Sequence, residues 1–197
     1  MARVAIVTGG TRGIGEAISV ALRDAGMIVA ANYAGNDDRA RDFTARTGIA
    51  AYRWDVADHD ACLAGAGRVA EELGPVDVLV NNAGITRDRM FLKMTPEDWQ
   101  AVIDTNLNSM FNVTKQVVPD MVEKGWGRIV QISSVNGEKG QAGQTNYSAA
   151  KAGMHGFAMA LAQELANKGV TVNTVSPGYI GTDMVRAIKP EVLEKIV

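Results

Sequence analysis

Val4-Ala5-Ile6-Val7-Thr8-Gly9-Gly10-Thr11-Arg12-Gly13-Ile14-Gly15 is the stretch that decides the fold. Its apolar run, closed by glycine, reads as a strand buried on both faces. The amphipathic pattern over residues 14–24 reads as a helix. A strand feeding through glycines into a helix opens a parallel α/β unit. Such a turn lets main-chain N–H groups approach a phosphate, and the positive end of the helix favours the charge. The spacing, Gly9-x3-Gly13-x-Gly15, departs from the commoner Gly-x-Gly-x-x-Gly. Taken alone it fits a tight turn as well as a phosphate cradle.

Outward from this unit the pattern repeats. Strands are expected over 27–32, 49–54, 76–80, 129–132 and Val170–Val175, with helices between them. Gly26 ends the first helix. Asp37 and Asp38 sit where carboxylates cap the second, and Asp58 caps the third, which runs to Leu73. Thr95-Pro96-Glu97 is a helix start, with threonine as cap and proline in the first turn. That helix should reach about Lys124, with Pro119 kinking or ending it. A last long helix, 146–167, is apolar on more than one side through Met154, Phe157, Met159, Leu161 and Leu165, a pattern expected of oligomer contact. Six alternating strands predict a doubly wound, Rossmann-type parallel sheet in the order 3-2-1-4-5-6. In that order the glycine turn adjoins Asn82-Ala83-Gly84, and strands 5 and 6 bring Ser134, Tyr147 and Thr182 to the same edge.

With 197 residues, 47% hydrophobic, 21% charged and a net charge of −2, the chain reads as one soluble globular domain. Nothing basic enough for nucleic acid stands out, and no apolar run reaches the ~18 residues of a membrane span. The lone cysteine, Cys62, fits a reducing cytoplasm and reads as a buried filler.

The chemistry concentrates after the fifth strand. Ser134 stands where that strand ends, and Tyr147 and Lys151 lie one turn apart on the following helix, on one face. Together they form a proton-donating constellation. Asn106 falls among Ile103, Leu107, Met110 and Phe111, positions expected to face the core, so its amide needs partners. It satisfies local backbone only, or it also holds a water at the active site. The end of the second strand, Asn32-Tyr33-Ala34, has no acid to accept a ribose hydroxyl. Arg12 and Arg39 can instead hold a 2′-phosphate, which favours NADPH over NADH; two surface arginines are the plainer alternative. His155 reads as a packed or surface histidine.

Taken together, Thr8-Gly9-x3-Gly13-Ile14-Gly15, Asn81-Asn82-Ala83-Gly84, Asn106, Ser134, Tyr147-x3-Lys151 and Pro177-Gly178 resemble the short-chain dehydrogenase/reductase family over nearly the whole chain. The segments Ser133–Ser148 and Val170–Ile180 are most similar to the branch that reduces acetoacetyl-CoA in polyhydroxybutyrate synthesis. Asn82-Ala83-Gly84-Ile85-Thr86-Arg87-Asp88 is shared with the reductases of 3-oxoacyl-acyl-carrier-protein. The resemblance implies NADPH-dependent reduction of acetoacetyl-CoA to (R)-3-hydroxybutyryl-CoA, or the same step on acyl-carrier-protein. A dinucleotide-sensing module is the rival without catalysis.

By resemblance Tyr147 is the general acid, Lys151 lowers its pKa and holds the nicotinamide ribose, Ser134 orients the carbonyl and Asn106 positions a water. NADPH/NADP+ is then expected along Gly9, Arg12, Gly13, Ile14 and Gly15, and at Arg39, Asp55 and Val56. It continues past Asn82, Ala83 and Gly84 to Tyr147 and Lys151, and reaches Pro177, Gly178, Ile180 and Thr182. The acyl substrate is expected at Asp88, Gln141, Gln144, Tyr179 and Lys189. Family members form homotetramers and continue some tens of residues beyond the equivalent of Val197. Against that pattern the chain is expected to be C-terminally incomplete, ending within the lid and without the final edge strand.

Overall fold

The computed structural model describes residues 2–181. Six strands, β1 (Val4–Val7), β2 (Ile28–Tyr33), β3 (Ala50–Arg53), β4 (Val76–Asn81), β5 (Gly127–Ile132) and β6 (Val170–Val175), form one parallel sheet in the order β3-β2-β1-β4-β5-β6. The order is the one the alternating pattern predicts. Val7 pairs with Ala31 on one side and Val80 on the other, and Ile132 pairs with Val175. The strand ends therefore line up along one edge, where in such sheets ligands bind.

Helices cover both faces. On one lie α1 (Gly13–Asp24) and α2 (Asp37–Thr47), packed through Ile18 and Phe43 onto Ala5, Val7, Ala31 and Val80. On the other lie α3 (His59–Leu73), α5 (Ser109–Lys124) and α7 (Thr145–Leu165), packed onto Ile6, Leu79, Ile129 and Val172. The inner strands carry apolar residues at successive positions because both of their faces are covered. Before α5 runs α4 (Pro96–Ile103), joined to it by a π-helical turn over Asp104–Asn108. Among the described residues no helix is long and apolar enough to cross a membrane.

Four local expectations need correction. Pro119 does not end or divide the helix: α5 runs through it to Lys124. Pro119 and Lys115, whose carbonyl loses its helical partner, both lie on the exposed side, so that carbonyl is open to solvent. The long helix is broken instead at the π turn carrying Asn106. Phe111 faces out, 54% exposed, and stacks on His59. Asn36, not Asp37 or Asp38, caps α2 by accepting from Arg39 N–H, and the two aspartates occupy the first turn. Between β5 and α7 lies a short helix, α6 (Asn136–Lys139).

Candidate active site

Two loops at the sheet's carboxyl edge are stitched together by Thr8 and Asn82. The Thr8 hydroxyl accepts from Asn82 N–H at 2.8 Å and Ala83 N–H at 2.9 Å, and Asn82 Nδ2 donates to the Thr8 carbonyl at 2.9 Å. Gly9 and Gly13 adopt φ of +61° and +54°, the left-handed region glycine tolerates. At Gly15 a Cβ would lie 2.2 Å from the Gly9 carbonyl oxygen, so any side chain is barred. From β2, Asn32 pins the same turn: Oδ1 accepts from Gly9 N–H at 3.3 Å and Nδ2 donates to the Trp54 carbonyl at 2.9 Å.

This turn could receive a dinucleotide phosphate. Arg12 precedes α1 with extended backbone and no capping bond from its side chain, so the first N–H groups of α1, those of Gly13 and Ile14, have no partner from that cap or from within the helix. The bare glycines leave room for a phosphate to come close. Arg12 and Arg39 are both exposed, at the start of α1 and in the first turn of α2. Asp55 Oδ1 accepts from Ala57 N–H at 2.9 Å, which shapes the loop after β3, and Val56 beneath is buried with its carbonyl held by Asn112.

The second half of the site is an unusually dry cation beside a phenol. Lys151 is 3% exposed, and its Nζ donates to the Ile132 carbonyl at 2.7 Å, 5.6 Å from the centre of the Tyr147 ring. Burial pushes its pKa down to about 7. Tyr147 is half-buried, which raises its pKa. A hydrogen bond with the Ser134 side chain works against that rise, and nearby Asp88 and Tyr179 add to it. Ser134 is itself fixed, accepting from Asn136 N–H at 3.1 Å. The π turn drives Asn106 fully inward, where Oδ1 accepts from Ile85 N–H at 2.8 Å and Nδ2 donates to the Ile85 carbonyl at 2.9 Å. The backbone that this amide satisfies is 21 residues away rather than local. A Cβ on Gly84 would touch the same amide.

At the mouth, Gln144 donates to the Asp88 carboxylate at 2.9 Å and accepts from Asn136 Nδ2 at 2.9 Å. Tyr179 lies under Lys139, whose Nζ is 5.7 Å from its ring centre. Gln141 is half-buried and Ile180 is exposed. The Pro177 carbonyl accepts from Val135 N–H at 3.1 Å, which ties the loop carrying Gly178 to the Ser134 loop. Thr182 and Lys189 lie outside the described residues.

The structure thus joins the glycine turn to Asn82-Ala83, Ser134 to Tyr147 and Lys151, and Asp88 to Gln144. Thr8, Asn32 and Asn136 hold these groups in place, a role their residue types alone did not reveal: Thr8 and Asn32 stand at strand ends, and Asn136 opens α6. A phenol beside a buried ammonium and a fixed hydroxyl can deliver a proton to a carbonyl oxygen. A bare helix start at the same edge can hold a dinucleotide. Among the described residues no cluster of His, Cys, Asp or Glu could hold a metal.

The family model for short chain dehydrogenase matches residues 3–193. The acetoacetyl-CoA reductase of Shinella zoogloeoides is 63% identical over all of this chain and 82% of its own length. That of Paracoccus denitrificans is 66% identical over 99% of this chain and 81% of its own. The 3-oxoacyl-(acyl-carrier-protein) reductase FabG of Staphylococcus aureus strain Mu50 is 42% identical over the whole chain and 82% of its own length. With a strand–glycine turn–helix unit, a Ser-Tyr-Lys cluster at the same sheet edge and a match over nearly its full length, this chain belongs to the short-chain dehydrogenase family.

Proposed function

We propose that this protein reduces acetoacetyl-CoA to (R)-3-hydroxybutyryl-CoA with NADPH. The observation that carries the reading is the Ser134–Tyr147–Lys151 cluster at the edge where the glycine turn opens. A bound nicotinamide dinucleotide supplies the hydride. Ser134 donates a hydrogen bond to the ketone oxygen and holds it toward Tyr147. Tyr147 gives that oxygen its phenolic proton. An isolated phenol resists this, since its anion is costly in a dry site, and Lys151 offsets the cost as a cation one turn away. Beyond its bonds to Ile85, Asn106 keeps an N–H and a lone pair with which to hold a water behind Lys151.

The residues placed at the phosphates, Gly9, Gly13, Ile14, Gly15, Asn82, Ala83 and Gly84, contribute backbone rather than charge. Arg12 and Arg39 provide the preference for NADPH, because the tip of β2 carries Asn32, turned inward, and Tyr33, and no acid. Asp55 and Val56 flank the adenine, and Pro177, Gly178, Ile180 and Thr182 the nicotinamide. Asp88, Gln141, Gln144, Tyr179 and Lys189 surround the acyl thioester. The higher identity to the acetoacetyl-CoA reductases favours coenzyme A over acyl-carrier-protein as the carrier. We read residues 1–197 as one domain working in the cytoplasm as a homotetramer; the exposed Phe111 on α5 and Met159 on α7 support contact between copies.

The test is NADPH oxidation with acetoacetyl-CoA and with the acyl-carrier-protein thioester, in wild type and Tyr147→Phe. Faster turnover of the coenzyme A ester, lost in the variant, is expected. Wild-type rates in Tyr147→Phe would remove the phenol from the chemistry.

A further inference from the structure

We propose that Ser133 and His155 are positioning residues for Lys151, joined in a hydrogen-bond chain with a fixed direction. The inference rests on the reading of Lys151 as the cation beside the proton donor. Ser133 is 4% exposed at the end of β5, where its N–H donates to the Val175 carbonyl at 2.8 Å. Its Oγ donates to the main-chain carbonyl of Lys151 at 2.8 Å, and the His155 Nε2 lies 3.3 Å from the same Oγ. The preceding residue, Ile132, takes the Lys151 ammonium on its carbonyl at 2.7 Å. Two successive residues of one strand end thus hold the lysine at its head and at its main chain.

The direction follows from proton counting. A hydroxyl has one proton, and a carbonyl can only accept, so the Ser133 proton goes to Lys151. The imidazole must therefore donate to Ser133, which requires the Nε2–H tautomer in the neutral ring. Helix geometry also gives the Lys151 carbonyl to the His155 amide, so His155 acts on this turn from both its backbone and its ring. A buried ammonium that stabilises a phenolate by its charge loses effect when it is displaced. Locking the turn from the strand side prevents that displacement.

The tautomer is read directly by long-range proton–nitrogen NMR on the full chain with ¹⁵N-labelled histidine. The Nε2–H form of His155 is expected, and a dominant Nδ1–H form would overturn the chain as drawn. Ser133→Ala and His155→Leu are expected to lower kcat on the order of tenfold with KM within about twofold. Both should move the rising limb of the alcohol-oxidation rate, which follows proton loss from the Tyr147–Lys151 pair, upward by roughly half a pH unit or more. His155→Gln, whose amide N–H reaches the place of Nε2, should restore kcat and limb together. Folded Ser133→Ala with wild-type kcat and limb would refute the proposal, as would equal behaviour of His155→Gln and His155→Leu. If Ser133→Ala does not fold, the His155 pair and the tautomer decide the matter. Tyr147→Phe, run in parallel, separates this outcome from failure of the proton-donor reading, because its full activity would say nothing against the tautomer.

Discussion

Asn106 holds both main-chain polar groups of Ile85, accepting from its N–H at 2.8 Å and donating to its carbonyl at 2.9 Å. The pairing fastens the π turn before α5 to the loop that follows Asn82-Ala83-Gly84. Asn106→Ala leaves both Ile85 groups without partners. A loss of about 1–3 kcal/mol is expected in urea unfolding, together with weaker cofactor binding. Asn106→Asp keeps the acceptor but sets an oxygen against the Ile85 carbonyl, and it should fall no less far. A variant as stable as wild type would show that the loop is held by other means.

Gly15→Ala tests the cradle. Its Cβ would press on the Gly9 carbonyl and on Asn82 Nδ2, so the turn must shift. We expect NADPH affinity, followed by fluorescence titration, to fall at least about tenfold, with ~1–3 kcal/mol of stability lost to overpacking. Gly67→Ala, in α3 with open space at its Cβ, should instead stabilise by about 0.5–1 kcal/mol.

Lys151 makes a prediction about pH. Its folded pKa, about 7, lies below that of an unfolded lysine, so the native state binds fewer protons between those values. The cost of burying the ammonium is therefore fully present below about pH 7 and fades as pH rises toward the unfolded value. Wild-type stability should gain from pH 7 to 9.5 relative to Lys151→Met, in which that gain is flattened. Parallel urea midpoints for the two proteins would reject this reading.

Arg12→Ala/Arg39→Ala should weaken NADPH binding by roughly tenfold or more and leave NADH binding nearly unchanged. A charge-assisted hydrogen bond to phosphate contributes about 1.5–3 kcal/mol. Equal losses for both cofactors would place these arginines outside the 2′-phosphate site.

Cys62 should be inert in the folded protein. It is fully buried and its thiol is pushed up to about 12, chiefly by burial, so thiolate is scarce at neutral pH. Iodoacetamide at pH 8 should modify it only after unfolding, and labelling of native protein at the unfolded rate would contradict its burial.

The chain's local patterns carried much of this far. Asp58 and Thr95 cap the helices they were expected to cap, and Val170–Val175 forms the sixth strand. Capping and strand burial depend on neighbours within a few residues, so spacing reveals them. Phe111 was misread, and Pro119 does not end the helix, because both outcomes depend on which side of α5 meets the sheet. The π turn at Asn106 shifts that side, and no periodic pattern records the inserted residue.

By itself the sequence determined the alternation of strands and helices, hence the order of the sheet, because two-sided burial and right-handed crossovers leave few other arrangements. It also put the serine, the phenol and the ammonium at one strand end. Only the tertiary structure decided how those groups are held. Asn82 reaches Thr8 across 74 residues, Asn106 reaches Ile85 across 21, and Ser133 reaches Lys151 across 18. Hydrogen bonds between distant loops depend on where the folded backbone brings each polar group, and neither periodicity nor propensity encodes that meeting.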